Sequence, residues 1–403
     1  MIPSHRQWFN RNFSPAKYAR FLELLERHCG EPTQFRHSET PCFLPAELID
    51  RMARYGREMV EQLLANPQYR QDSRNAAPQE YRVPNEAPHP LFLQADFGLD
   101  PDLQPKLVEI QGFPTLYAYQ PVMSQCYREA YGIDAGLETL PGGLHPDTYR
   151  SLLREAIVGS QDPENVVLLE IDPSHQKTRA DFKMTEQLFG VRTVDIASIR
   201  KQGNRLYYER DGKQVPVHRI YNRAIVDELE RKGIRIAFDF RDDLEVEWAG
   251  HPNWFFRLSK FSLPYLRHPA VPWTQFLDRA PKVDHPERYV LKPLYSFAGS
   301  GVIVGPTADQ LDRVPEPLRS RYILQERIDF QPLVETPFGP TKLEVRIMYI
   351  WLDSLRAVNT IIRMGRGAQM GVDHNKGFEW VGASAAFIDS GTDDRLSSSV
   401  NRL

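Results

Sequence analysis

Residues Tyr289 to Gly305 read Y-V-L-K-P-L-Y-S-F-A-G-S-G-V-I-V-G. Two apolar, strand-like runs, 289–291 and 302–304, flank a loop that carries Ser296, Gly299, Ser300 and Gly301. Lys292 and Pro293 close the first run. A lysine leaving a strand can reach a phosphate. A glycine-containing hairpin loop can fold over phosphates, because backbone N–H groups without bulky side chains approach anionic oxygens closely. Further on, Tyr322-Ile323-Leu324-Gln325-Glu326 is another apolar strand ending in a polar pair. Such an end can present backbone to an adenine edge and a carboxylate to a ribose. Together the three segments predict an ATP site.

Other phosphate motifs do not fit. A Rossmann fingerprint needs G-x-G-x-x-G between a strand and a helix, whereas Val302 to Val304 continues as a strand. The Walker pattern G-x-x-x-x-G-K-[ST] is absent. The plain competing reading is a glycine-rich hairpin with a solvated lysine. Gln325-Glu326 at its distance weighs against that.

The bulk properties suit a soluble enzyme. A chain of 403 residues can hold two or three domains. A net charge of -3 gives no sign of a nucleic-acid or polybasic membrane surface. Cys29, Cys42 and Cys126 are widely spaced, which excludes a disulfide scaffold or zinc knuckle and suits a reducing, cytoplasmic compartment. The opening M-I-P-S-H-R-Q-W-F-N has no signal-peptide core, and no apolar run approaches a membrane span.

Ahead of the loop, Ser14-Pro15 predicts a helix ending at Gly30, and a second helix follows Pro45 to about Ala65. Residues 66–90 read as a proline-rich loop. Leu91 to Phe97 and Lys106 to Gln111 read as an antiparallel hairpin. That pairing brings Asp96 and Glu109 to one end of a sheet, with Glu109 and Gln111 on one face. Three oxygen donors of this kind suit magnesium. Strand 164–170, helix 178–189 and strand 191–196 predict a parallel α/β unit. A hairpin over 205–221 turns about Asp211-Gly212, leading to Asn222-Arg223. Lys260 precedes an apolar helical segment, 261–266. Lys342 to Trp351 is a long alternating strand, and 357–362 returns beside it before Arg363. The glycine-rich stretch 365–375 reads as a loop able to close over the site; its His374 carries no chemical assignment.

These motifs resemble the ATP-grasp superfamily. In most of its members the acid and the Glu-x-Asn pair follow the glycine loop. Here Asp96 and Glu109-Ile110-Gln111 precede it, as in the circularly permuted branch that includes the synthetase domain of glutathionylspermidine synthase. The resemblance covers roughly 90–388. It implies a mixed α/β ATP-grasp fold with a parallel pre-ATP-grasp unit. The resulting division is an N-terminal helical segment (1–89), a metal-binding part (90–130), a substrate unit (150–250), a nucleotide-binding part (251–390) and a disordered tail (391–403). It implies ATP and Mg2+ as cofactors. Lys260, Lys292, the loop residues, Gln325 and Glu326 would hold the nucleotide. Asp96, Glu109 and Gln111 would hold the metal, with Glu344, Asp373 and Asn375 next in line. Arg346 and Arg363 would contact phosphate or substrate. Two departures stand out: Gln111 replaces an asparagine, and Gln94 replaces an arginine expected near the transferred phosphate. Arg346 or Arg363 can substitute for the latter.

The implied chemistry is ligation of a small-molecule carboxylate to an amine through an acylphosphate, releasing ADP and phosphate. Two other classes remain: an ATP-binding regulatory or interaction protein whose ligase activity has decayed, and a small-molecule phosphotransferase. Oligomeric state leaves no mark in these motifs.

Overall fold

The computed structural model describes residues 1–296, 299–375 and 377–391. Of the tail expected at 391–403, residues 392–403 lie outside the described residues. The chain is mixed α/β, built around a five-stranded antiparallel sheet. Its order is Gly382–Ser384, Leu355–Gly365, Lys342–Trp351, Phe92–Leu99, Pro105–Gln111. Strand alternation divides the residues of this central sheet between two faces. Leu93, Ala95, Phe97, Val345, Ile347 and Tyr349 point one way, into an apolar cluster shared with Met52, Met59 and Leu63 of helix Ala46–Ala65. Gln94, Asp96, Glu344 and Arg346 alternate with them and are buried polar residues.

The helix Ala46–Ala65 sits unusually close to the sheet. Tyr349 Oη donates to the Ala53 carbonyl at 2.9 Å. A Cβ at Gly56 would lie 2.1 Å from that hydroxyl, so only glycine permits this approach. The preceding helix, Pro15–Cys29, starts with Ser14 accepting from the Lys17 amide and stops at left-handed Gly30. Cys42–Pro45 then pairs in parallel with Ala386–Asp389, tying the N-terminal helices to the end of the described chain.

A parallel sheet carries Glu247–Ala249, Arg219–Asn222, Val166–Glu170 and Arg192–Asp195 in that order. A four-stranded antiparallel sheet carries Thr274–Phe276, Tyr322–Glu326, Tyr289–Pro293 and Ile303–Val304. This smaller sheet holds the sequence stretch with which the reading began.

Three expectations need correction. The stretch 66–90 is not all loop: Pro67–Arg74 is a helix. Asn66 caps it by accepting from the Gln68 and Tyr69 amides, and Tyr69 Oη anchors it by donating to the Arg257 carbonyl at 2.7 Å. The strand predicted over 215–221 divides at His218. Lys213–Val217 stays with Arg205–Arg210, while Arg219–Asn222 joins the parallel sheet. The His218 amide donates to Asn165 O and its carbonyl accepts from Glu247 N, which hands the chain from one sheet to the other. Lys260–Tyr265 is a 3-10 turn rather than an α-helix, with Pro264 inside it.

Candidate functional site

The small sheet meets the central sheet along its edge strand, Pro105–Gln111. Register there is broken: Asp96 pairs with Glu109, but Phe97 pairs with Leu107, leaving Val108 as the extra residue of a β-bulge. The irregularity frees carbonyls for side chains of the other sheet. Lys292 Nζ donates to Val108 O at 2.9 Å, and Gln325 Nε2 donates to Leu107 O at 3.3 Å. Lys292 Nζ also donates to Gln325 Oε1 at 2.5 Å. Lys292 is therefore buried where the sheets touch, beside Glu109. Burial pulls its pKa down to about 8, against the opposing attraction of the Glu109 carboxylate.

Lys260 arrives from another element. Its Nζ donates to the Ser296 carbonyl at 2.9 Å and lies 3.6 Å from Glu109 Oε2. Ser259 and Ser262 form a reciprocal capping box that fixes the turn presenting it. Close packing fixes its position against the edge strand as well. The Gly112 amide donates to Leu258 O at 2.7 Å, and a Cβ on Gly112 would come within 2.8 Å of the Trp254 carbonyl.

Gly299 and Gly301 both take positive φ, +76° and +71°, which glycine adopts without strain. Ser300 between them is exposed, and Ser296 Oγ is buried with no hydrogen-bond partner among the described residues. The 365–375 segment packs against this turn: Gln369 Nε2 donates to Val302 O at 3.1 Å. Asn375 shapes that segment from within. Its Oδ1 accepts from the Arg366 and Gly367 amides, and its Nδ2 donates to the Gln369 and Gly371 carbonyls. Asn375 is thus occupied as a loop staple, not available as a metal ligand. The side chain of Asp373 lies outside the described residues.

The central sheet places Arg346 opposite Asp96 in register. Arg346 Nε and Nη2 donate to Asp96 Oδ1 and Oδ2 at 2.5 and 2.6 Å, and Nη1 donates to Gln94 Oε1 at 2.8 Å. Arg363 Nη1 reaches Asp96 Oδ2 at 2.9 Å and is also hydrogen bonded to Glu344 Oε1. Burial favours protonated Asp96, but the two guanidinium groups outweigh it and hold the carboxyl well below the usual carboxylate range. Glu344 is shifted upward, because burial exceeds the compensation from Arg363.

The structure therefore brings Asp96, Glu109, Gln111, Lys260, Lys292, Gln325, Arg346 and Arg363 into one continuous polar network. Gln325 serves as part of the Lys292 cradle, with its side chain spent on the lysine and Leu107. Glu326 is exposed at the strand end, and its amide donates to Trp273 O at 2.8 Å.

The donor set does not fit magnesium as the resemblance arranges it. Asp96 is 1 % exposed and both of its oxygens already accept from arginine. Among the described residues, no group of three or more His, Cys, Asp or Glu side chains is placed to hold a metal ion. The residues that sequence reasoning passed over here are backbone and partner groups: the Leu107 and Val108 carbonyls, and Glu344 as the counter-charge of Arg363. Glu344 was signalled by charges at three alternate positions, Lys342, Glu344 and Arg346, in an otherwise apolar strand. The bulge had no sequence mark.

A surface cavity of about 1020 Å3 lies elsewhere, at the far end of the Lys342–Trp351 strand, lined by Asp50, Arg57, His145 and Arg356 among others. None of the residues of the charged network lines it.

No family model matches the sequence, and no curated protein matches it. Among solved structures, the apoform of a glutathione synthetase-like effector from Globodera pallida is similar, with a TM-score of 0.59. The match covers 94% of this chain and 98% of that one, at 13% sequence identity. The likeness is one of fold. No helix among the described residues is long and apolar enough to cross a membrane.

Proposed function

We propose that this chain is an ATP-dependent carboxylate–amine ligase of the permuted ATP-grasp type. The observation that carries the reading is the arrival of Lys260 and Lys292, from two separate elements, at Glu109 and its neighbour Val108, with Lys260 also bonded to the Ser296 carbonyl that leads into the glycine turn. Two lysines so placed can neutralise a polyphosphate and the charge that develops as its terminal phosphoryl group moves. In the reaction, a substrate carboxylate oxygen attacks the γ-phosphorus and ADP leaves. An amine nitrogen then attacks the acyl carbon, phosphate leaves, and the amine gives up a proton. On this reading Arg346 and Arg363 would have to exchange part of their bonding to Asp96 and Glu344 to hold the phosphoryl group or the substrate carboxylate. Ser296, Ser300 and the two glycines would border the phosphates, and Gln325-Glu326 the nucleoside.

One observation favours a second reading. Asp96 is fully engaged by Arg346 and Arg363, as in a network built to be stable and not to turn over. On that reading the chain binds nucleotide without ligating anything.

ADP release from purified protein, supplied with pools of amino acids, short peptides and polyamines, separates these. Release that requires both an acid and an amine is the expected result. Release with one acceptor alone identifies a phosphotransferase. Calorimetric ATP binding with no release under any combination identifies a binding protein.

A further inference from the structure

The three side chains that the resemblance assigns to a metal all converge, Asp96 and Glu109 directly and Gln111 through Gln94, on something already present. Asp96 grips Arg346 through two hydrogen bonds of 2.5 and 2.6 Å. The Gln111 amide nitrogen donates to Gln94 Oε1 at 2.7 Å and so reaches the guanidinium through that residue. Glu109 Oε1 lies 3.7 Å from Nη2. Gln94, the residue standing where an arginine is expected, adds its own oxygen at 2.8 Å from Nη1. A cage of oxygen donors from two neighbouring strands thus encloses a planar cation delivered by a third.

We infer that the Arg346 guanidinium is the resident cation of this site, standing in the place of a divalent metal, so that the site takes a polyphosphate free of magnesium. The inference rests on the nucleotide reading above. Its physical basis is the charge count and the geometry. Arg346, Arg363, Lys260 and Lys292 supply four positive charges, and Asp96, Glu109 and Glu344 three carboxylates, in one network. A divalent ion entering the same oxygens would have to displace a buried guanidinium from a bidentate partner. That guanidinium would then sit unpaired in a buried position, which is costly. Gln94 and Gln111 also acquire a reason. An arginine at 94 would set a second guanidinium against Arg346, whereas a neutral amide accepts from it. The amide at 111 donates to that same Gln94 oxygen and holds it against the guanidinium.

The test is calorimetric titration of the full chain with ATP and with inorganic triphosphate, once in EDTA and once with excess Mg2+. Equal or tighter binding in EDTA is the expected result. Binding that appears only with Mg2+ overturns the inference and leaves the nucleotide reading standing. No binding of either ligand under either condition overturns the nucleotide reading and the inference with it. A second measurement does not depend on the anion. Mn2+ titration followed by electron paramagnetic resonance should show no site in the wild type and a new one in folded Arg346→Ala, whose oxygens are released. Saturable Mn2+ binding by the wild type through Asp96, abolished in Asp96→Asn, would place a metal where the guanidinium is assigned and refute the inference.

Discussion

Lys292 is the residue on which the site turns. Its ammonium is held by the Val108 carbonyl and Gln325, and the carboxylate that acts on it most strongly is Glu109. Replacing it with methionine keeps most of its volume and removes the charge. Lys292→Met should weaken ATP binding by about one to two powers of ten, from loss of a charge-assisted phosphate contact. Unchanged calorimetric affinity in a folded variant would remove Lys292 from the site. The pH dependence has a definite sign. The pKa is lowered from 10.5 to about 8 by burial, so the unfolded chain binds more protons between those values. Burying the charged lysine therefore costs stability below that window, and the cost is relieved as pH rises through it. Anion affinity moves the other way, falling as pH rises past about 8 and the free protein loses the charge. Glu109 raises this pKa, so Glu109→Gln should move the midpoint of that fall to lower pH. A midpoint that stays in place, or rises, would mean that Glu109 does not act on Lys292.

At the scale of elements, two close approaches align the parts. Helix Ala46–Ala65 lies on the central sheet because Gly56 leaves room for Tyr349 Oη. Gly56→Ala should destabilise the fold by about 1–3 kcal/mol through overpacking. Tyr349→Phe removes the hydroxyl that a Cβ would strike, so the double variant should recover part of the loss in urea unfolding. Strict additivity of the two changes would contradict the packing account. The periodicity of this helix was readable, with Met52, Met59 and Leu63 on one face. The seat it occupies was not, because nothing local distinguishes a glycine that admits Tyr349 from one that merely tolerates a helix. The same holds for the bulge at Val108. A two-residue alternation predicts that Glu109 and Gln111 share a face, and they do. It does not reveal that an extra residue turns two carbonyls toward another sheet.

For the whole molecule, the decisive joint is Asp181. Its Oδ1 accepts from the Ala118 and Tyr119 amides at 2.9 and 3.0 Å, and its Oδ2 from the Leu116 amide at 3.1 Å and Arg223 Nη1 at 2.8 Å. One carboxylate thereby joins helix Arg179–Phe189, the start of helix Tyr119–Tyr131 and the end of parallel strand Arg219–Asn222. Arg223 is buried between the Phe113 and Phe182 rings. Asp181→Ala strips the counter-charge from that arginine and should cost about 3–5 kcal/mol. Asp181→Asn keeps the shape and part of the hydrogen bonding, and should cost less. Equal losses in denaturant unfolding would show that the charge of Asp181 does not matter. Sequence pattern placed Arg223 at a strand end, where ligands often bind in open α/β sheets. The structure spends it on joining layers.

The sequence by itself determined the elements and most of their neighbours. Glycine and proline punctuation set the helix ends at Gly30 and Pro45, alternation set the strands read as 91–97, 106–111 and 342–351, and the lysine–glycine-loop order set the hairpin strands of the small sheet. These are local matters of backbone sterics and two- or three-to-four-residue periods, which a linear chain displays openly. Tertiary structure alone decided what the charges do. Asp96 and Arg346 are partners across strands 250 positions apart, and Lys292 meets Val108 across 184. Which cation an acid receives is settled by register, bulges and the free energy of leaving a buried charge unpaired. That is a property of the assembled sheets, and no stretch of the chain carries it alone.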